Sequence, residues 1–112
     1  MSITETQSLS AVARLNDQFR RHPGAGWMMT AGIEAKGPLF ALAATSAVRA
    51  FDCFTDDNDP NGEHDFGSFS LCGERLFWKI DYYDQDLSFG SDDPSDPAVT
   101  RRIMTIMLAS EY

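Results

Sequence analysis

Positive charge is scarce in this chain. Nine Lys and Arg stand against seventeen Asp and Glu in 112 residues, a formal net charge of −8. Proteins that bind DNA or RNA directly carry a basic stripe or patch, so the composition argues against direct nucleic-acid binding. Cysteine is scarce as well. Cys53 and Cys72 are the only two, and they form no C-x-x-C pair. That leaves no disulfide framework and too few thiols for a cysteine-built zinc site, and predicts two reduced, buried side chains. No apolar run approaches the ~18 residues that a membrane span requires. The opening MSITETQSLS has neither the basic start nor the apolar stretch of a secretory signal. Together these absences predict a cytoplasmic protein with no membrane contact. Missing too are G-x-S-x-G, a P-loop and H-E-x-x-H, so no motif announces an enzyme.

What is present suits one globular domain over residues 1–112, with an apolar fraction of 43% and length enough for a single core. The acidic charge is concentrated. Between Asp52 and Asp96 the segment carries −11, and the rest of the chain carries +3. Such an imbalance favours partners with positive surfaces.

Read for periodicity, residues 4–21 predict a helix, with Thr4 and Gln7 as a capping box and a stripe of Leu9, Val12, Leu15, Asn16 and Phe19. Arg20, Arg21 and His22 suit the negative end of its dipole, and Pro23-Gly24 ends it. WMMTAGI, from Trp27 to Ile33, predicts a buried strand. Pro38 opens a second helix, with Leu39, Leu42, Ala43, Ala47, Ala50 and Phe51 at helical spacing; a strand at LFALA is its rival. A β-hairpin is expected over Asp65–Asp84, with Phe69 and Leu71 on one strand and Leu76, Trp78, Ile80 and Tyr82 facing the core on the other. Its turn lies at Cys72-Gly73-Glu74, with Cys72 opposite Arg75. Asp96 and Pro97 then make a helix start, with Val99, Ile103, Ile106 and Met107 as the closing stripe. The expected architecture is α+β in two layers, order α-β-α-β-β-α. It has a small antiparallel sheet, one strand plus the hairpin, with helices on one face.

The stretch FTDDNDPNGEHDFG, Phe54 to Gly67, is the most unusual feature. Asp59-Pro60-Asn61-Gly62 alone is a complete type I turn. Asp57, Asp59, Asn61 and Gly62 also match D-x-D-x-N-G, the opening of a calcium loop, and Glu63 and Asp65 stand at its seventh and ninth places. The bidentate Glu of the twelfth place is Ser68, so an EF-hand is excluded and at most an open Ca²⁺ or Mg²⁺ loop remains. His64, between Glu63 and Asp65, is the one candidate general base, with no nucleophile or cofactor motif beside it. The expected hairpin places this loop and the second acidic loop, DQDLSFGSDDPSDP, at the same end of the sheet.

The segments VRAFDCFTDDNDPNGEHDFG, GERLFWKIDYYD and SDDPSDPAVTRRIMTIMLASEY, with LNDQFR and TAG upstream, resemble a family of small bacterial proteins known only as a domain of unknown function. The resemblance covers nearly the whole chain and brings no activity or catalytic residues. It implies plasmid or other mobile-element carriage, and through that a role in conflict with host defence or in element maintenance.

The leading expectation is a non-enzymatic interaction protein with no resident cofactor. Asp56, Asp57, Asp59, Glu63, Asp65, Asp84, Asp86, Asp92 and Asp93 would form an exposed patch that docks on a basic protein. In its sharpest form this is a nucleic-acid mimic of the anti-CRISPR or anti-restriction type. Its rivals are a metal-binding module or metal-dependent enzyme using Asp57, Asp59, Asn61, Glu63 and Asp65, and a soluble domain whose acidic face is merely solvated.

Overall fold

The first helix starts where the chain offers a capping hydroxyl. In the computed structural model, which describes residues 9–112, Ser10 precedes helix α1 (Ala11–Arg21) and its Oγ accepts the Ala13 N–H at 3.0 Å. The Thr4–Gln7 capping box lies outside the described residues. After Pro23-Gly24 the chain runs through strand β1 (Trp27–Met29), the short helix α2 (Ala31–Ala35) and helix α3 (Pro38–Ala50). The strand expected to reach Ile33 therefore stops at Met29, and Ala31-Gly32-Ile33 turns helical. Glu111 supports that change. Its carboxylate accepts the Thr30 hydroxyl at 2.6 Å and the Gly32 N–H at 2.9 Å, capping α2 from the far end of the chain.

The hairpin forms as strands β2 (Phe66–Leu71) and β3 (Glu74–Tyr83). Its register is two residues tighter than expected, with Leu71 opposite Glu74 and Ser70 opposite Arg75. Cys72 as well as Gly73 adopts positive φ, 51° and 80°, which allows a two-residue turn of the I′ kind. A shift of two preserves the faces, so Leu76, Trp78 and Ile80 are buried as the alternation requires. Gly67 sits opposite Trp78, where a Cβ would lie 2.2 Å from the indole nitrogen; only glycine lets that ring lie flat against β2.

The closing segment is a strand, not a helix. Residues 96–99 do make one turn, with the Ala98 N–H on the Asp96 carboxylate at 2.9 Å. Then β4 (Arg101–Leu108) extends and inserts between β3, antiparallel, and β1, parallel. The four-stranded sheet has order β1-β4-β3-β2 and is mixed, where an antiparallel sheet was expected. RRIMTIML satisfies both periods. Ile103, Ile106 and Met107 share a helical stripe, but β-branched Ile and Thr fit a pleated surface, and a short apolar run does not separate the two. As a strand it sends Met104 and Ile106 into the core, and Trp78 packs beside Ile106 within the sheet.

The fold is α+β, with helices on one sheet face around Ile33, Ala44, Val48, Leu76, Trp78, Ile80, Met104 and Ile106. On the other face Phe77 contacts Phe66 and Tyr112, with ring centroids 5.2 and 5.4 Å apart. The two thiols, expected to be buried, are exposed and unpaired. No described helix is long and apolar enough to cross a membrane.

Candidate functional site

Helix α1 presents the core with polar side chains. Asn16, Asp17 and Arg20 occupy its inner face with Ala13, while Leu9, at the head of the expected stripe, is exposed. Most of their polar atoms are matched, with Arg20 Nε the buried exception. Arg20, 1% exposed, donates to the Asp17 carboxylate at 2.8 Å and to the carbonyls of Val48 and Arg49 at 3.0 and 3.3 Å. Those carbonyls belong to the last turn of α3, where helix geometry leaves acceptors free; that of Val48 also takes the Phe51 N–H at 3.2 Å. Arg20, expected to serve the dipole of its own helix, thus caps a different one. Its guanidinium also lies over the rings of Phe54 and Trp78, at 5.5 and 5.3 Å.

The opening stretch is anchored to this face. Asp59 begins the predicted turn, with the Gly62 N–H on its carbonyl at 3.0 Å. Its carboxylate accepts the backbone N–H groups of Glu63 and His64 at 3.2 and 3.3 Å. His64 is held at φ 57°, its ring stacked on Phe54 at 3.8 Å and 3°. Nδ1 of His64 lies 2.9 Å from Asp17 Oδ1, and Nε2 lies 3.7 Å from Asp59 Oδ2. The candidate base is thus a hub between two carboxylates, with its side chain only 15% exposed.

A second branch ties in the other acidic loop. Asn16 donates to the Glu63 carbonyl at 2.9 Å and to the Tyr82 hydroxyl at 2.8 Å, and its Oδ1 accepts Arg102 Nε at 2.6 Å. Arg102 stacks on the Tyr82 ring and donates to the Pro94 carbonyl at 2.6 Å. Asp93 and Ser91 are fastened through Thr100, whose hydroxyl donates to the Asp93 carbonyl at 2.7 Å. Glu63 and Asp65 approach the Tyr82 hydroxyl at 3.4 and 3.3 Å. Burial, with Asp65 and then Asp59 nearby, pushes the Glu63 carboxyl above its ordinary range. Burial likewise pushes the Tyr82 phenol up and the Arg102 guanidinium down.

The nine patch residues divide. Asp56, Asp57, Asp86, Asp92 and Asp93 are exposed. Asp59, Glu63 and Asp65, expected on the surface, turn toward the network, and the Asp59 side chain is only 7% exposed. Asp84 is half-buried and holds the Ser88 N–H. Both loops leave the same end of the sheet, as expected, because Phe66 opposite Lys79 and Tyr83 opposite Arg101 fix where β2 begins, β3 ends and β4 begins. Asp57, Asp59, Asn61, Glu63 and Asp65 do not form a ligand set. Asp57 and Asn61 face solvent while Asp59 is committed to backbone N–H groups. Among the described residues no three His, Cys, Asp or Glu side chains gather as metal ligands. Periodicity missed Asn16, Asp17, Arg20, Tyr82 and Arg102 as network members; the one visible signal was the polar Asn16 inside the α1 stripe.

Residues 29–111 match the family described as Protein of unknown function (DUF3768). The chain belongs to that family. The matched span holds both acidic loops, Tyr82 and Arg102, whereas Asn16, Asp17 and Arg20 precede it. No curated protein and no solved structure matches the chain.

Proposed function

We propose that this DUF3768 protein is a non-enzymatic, cytoplasmic interaction protein whose acidic end docks on a basic surface of another protein. The observation that carries the reading is the anchoring of both acidic loops to one buried polar network at one end of the sheet. A merely solvated acidic loop needs no such fastening. A docking surface gains from it, since loops held in place before binding lose less entropy on association. The exposed carboxylates of Asp56, Asp57, Asp86, Asp92 and Asp93 supply the charge. Carboxylates spaced along two neighbouring loops imitate a row of phosphates for a groove lined with Lys and Arg. The target class is therefore a nucleic-acid-handling protein, and the action is inhibition by competition, as in anti-CRISPR or anti-restriction proteins. The mobile-element carriage that the family resemblance implies would fit that role.

The test is a pull-down from bacterial lysate at ~50 and ~500 mM salt, a change that shortens the Debye length about threefold. Wild type is compared with a variant in which Asp56, Asp57, Asp86 and Asp92 are changed to Asn. The expected result is a basic partner recovered only by wild type and only at low salt, and displaced by duplex DNA. Equal recovery by both proteins at both salts would refute the proposal, as would direct binding of duplex DNA by the purified protein.

A further inference from the structure

Beside the acidic loops, a groove of about 480 Å³ runs between the C-terminal half of α1 and residues 97–102. That volume lies within the range that small organic ligands occupy. Its walls contain Leu15, Phe19 and Pro97, and its polar lining includes His22, Arg101 and Arg102. In a chain with nearly twice as many acids as bases, no Asp or Glu lines it. Arg102 is the telling residue. It is half-buried, its Nε and Nη2 are used by Asn16 and Pro94, and Nη1 has no acceptor among the described residues. No ion pair among the described residues involves Arg101 or Arg102. A half-buried guanidinium without a carboxylate nearby favours an anion from outside, and its planar fork suits carboxylate and phosphate oxygens. His22 adds a fixed edge. Nδ1 donates to the Gln18 carbonyl at 2.7 Å, which leaves Nε2 for a ligand.

We propose that this groove binds a small organic oxyanion. Its carboxylate or phosphate sits on Arg102 Nη1 and Arg101, and its apolar body lies on Leu15, Phe19 and Pro97. The groove shares Arg102 with the network that anchors the second acidic loop, but none of the exposed docking carboxylates lines it, so either site can fail alone.

The experiment is an amide NMR titration of the full chain with benzoate and with phenyl phosphate, using benzyl alcohol as the neutral probe. Ligands of this size give Kd on the order of 1 mM at ordinary ligand efficiency. Expected are saturable shifts at His22, Gly26, Arg101 and Arg102 with at least one anion and none with benzyl alcohol. The tighter anion identifies the headgroup. Ala25→Trp, at the groove wall, should abolish the shifts. Arg101→Gln, at an exposed position, should weaken binding about two- to fivefold. Shifts that fail to saturate, equal shifts with the neutral probe, or unchanged affinity in Arg101→Gln would overturn the proposal.

Discussion

Helices α1 and α3 both lie on the inner face of the sheet, and they treat hydrophobicity in opposite ways. α1 turns Asn16, Asp17 and Arg20 inward and leaves Leu9 in solvent. α3 buries only Ala44 and Val48 fully and holds Leu39 and Leu42 outside, at 80% and 65% exposure. The contrast shows two uses of one layer. α3 is a close-packed cover whose small inner residues let it approach the sheet. α1 is an anchoring rod whose polar inner face fastens the loop at 52–65 and, through Asn16 and Arg102, the loop at 84–100. Arg20 joins the two helices by capping α3 from within α1.

The largest effect should come from splitting the charges on the inner face of α1. Asp17→Ala leaves Arg20 buried without its carboxylate and removes the acceptor of His64. Breaking a buried pair from one side costs about 3–5 kcal/mol. Urea denaturation should show that loss, and should show a smaller one for Asp17→Leu combined with Arg20→Met, because no lone charge is then buried. A loss below about 1 kcal/mol for Asp17→Ala would mean that water reaches the network and that α1 does not anchor through its charges.

That polar face also explains what was legible in the sequence. The α+β class, helix α3 from Pro38, the hairpin, the Asp59–Gly62 turn and the shared end of the two acidic loops all follow from local chemistry: proline placement, period-two alternation and turn residues. The inner face of α1 was mis-phased because an apolar stripe marks the core only when the core is apolar; that of α3 was mis-phased because it is apolar nearly all round and buries small Ala44 with Val48 while Leu39 and Leu42 stay outside. Asn16, Asp17 and Arg20 are buried for partners 28 to 86 residues away, such as Val48 and Arg102, and no local window contains those. β4 was missed for a related reason. Its strand form rests on pairing with β1 and β3, which no local window contains.

The inner face of α3 should respond less than that of α1. Val48→Ala removes two buried methyl groups and leaves a small void, a cost of about 2 kcal/mol. If thermal or urea unfolding showed Val48→Ala to be worse than Asp17→Ala, the apolar face would be the principal support of this layer and the comparison would invert.

A smaller effect, opposite in sign, is expected where the network meets the acidic loops. Burial and the neighbouring carboxylates raise the Glu63 pKa above its ordinary 4.5. The folded state therefore holds that proton more tightly than the unfolded chain does. The stabilisation from Glu63 is complete below the unfolded pKa and is lost as pH rises through the folded one. Glu63→Gln should accordingly raise the melting temperature near neutral pH, by an amount worth less than about 1 kcal/mol because the site is largely open to solvent. The gain should shrink as pH falls below about 4.5. A melting temperature for Glu63→Gln below wild type near neutrality would show that the carboxylate holds the Tyr82 hydroxyl better than an amide can.

The smallest effect should come from the outer face of α3. Leu39 and Leu42 remain in water on folding, and the hydrophobic effect rewards only area taken out of water. Gln matches Leu closely in helix propensity, so the exchange leaves the backbone preference nearly unchanged. Leu39→Gln with Leu42→Gln should shift stability by no more than about 0.5 kcal/mol, while Val48→Ala, on the opposite face of the same helix, still shows its full cost. Unfolding of the double variant and of wild type should be followed at two protein concentrations. Coincident curves would confirm that the face is wet. A concentration-dependent loss well above 0.5 kcal/mol would mean that these leucines are covered by another copy in solution, because only a bimolecular contact makes stability depend on protomer concentration. α3 would then have two buried faces, and α1 alone would carry polar groups inward against an otherwise apolar layer.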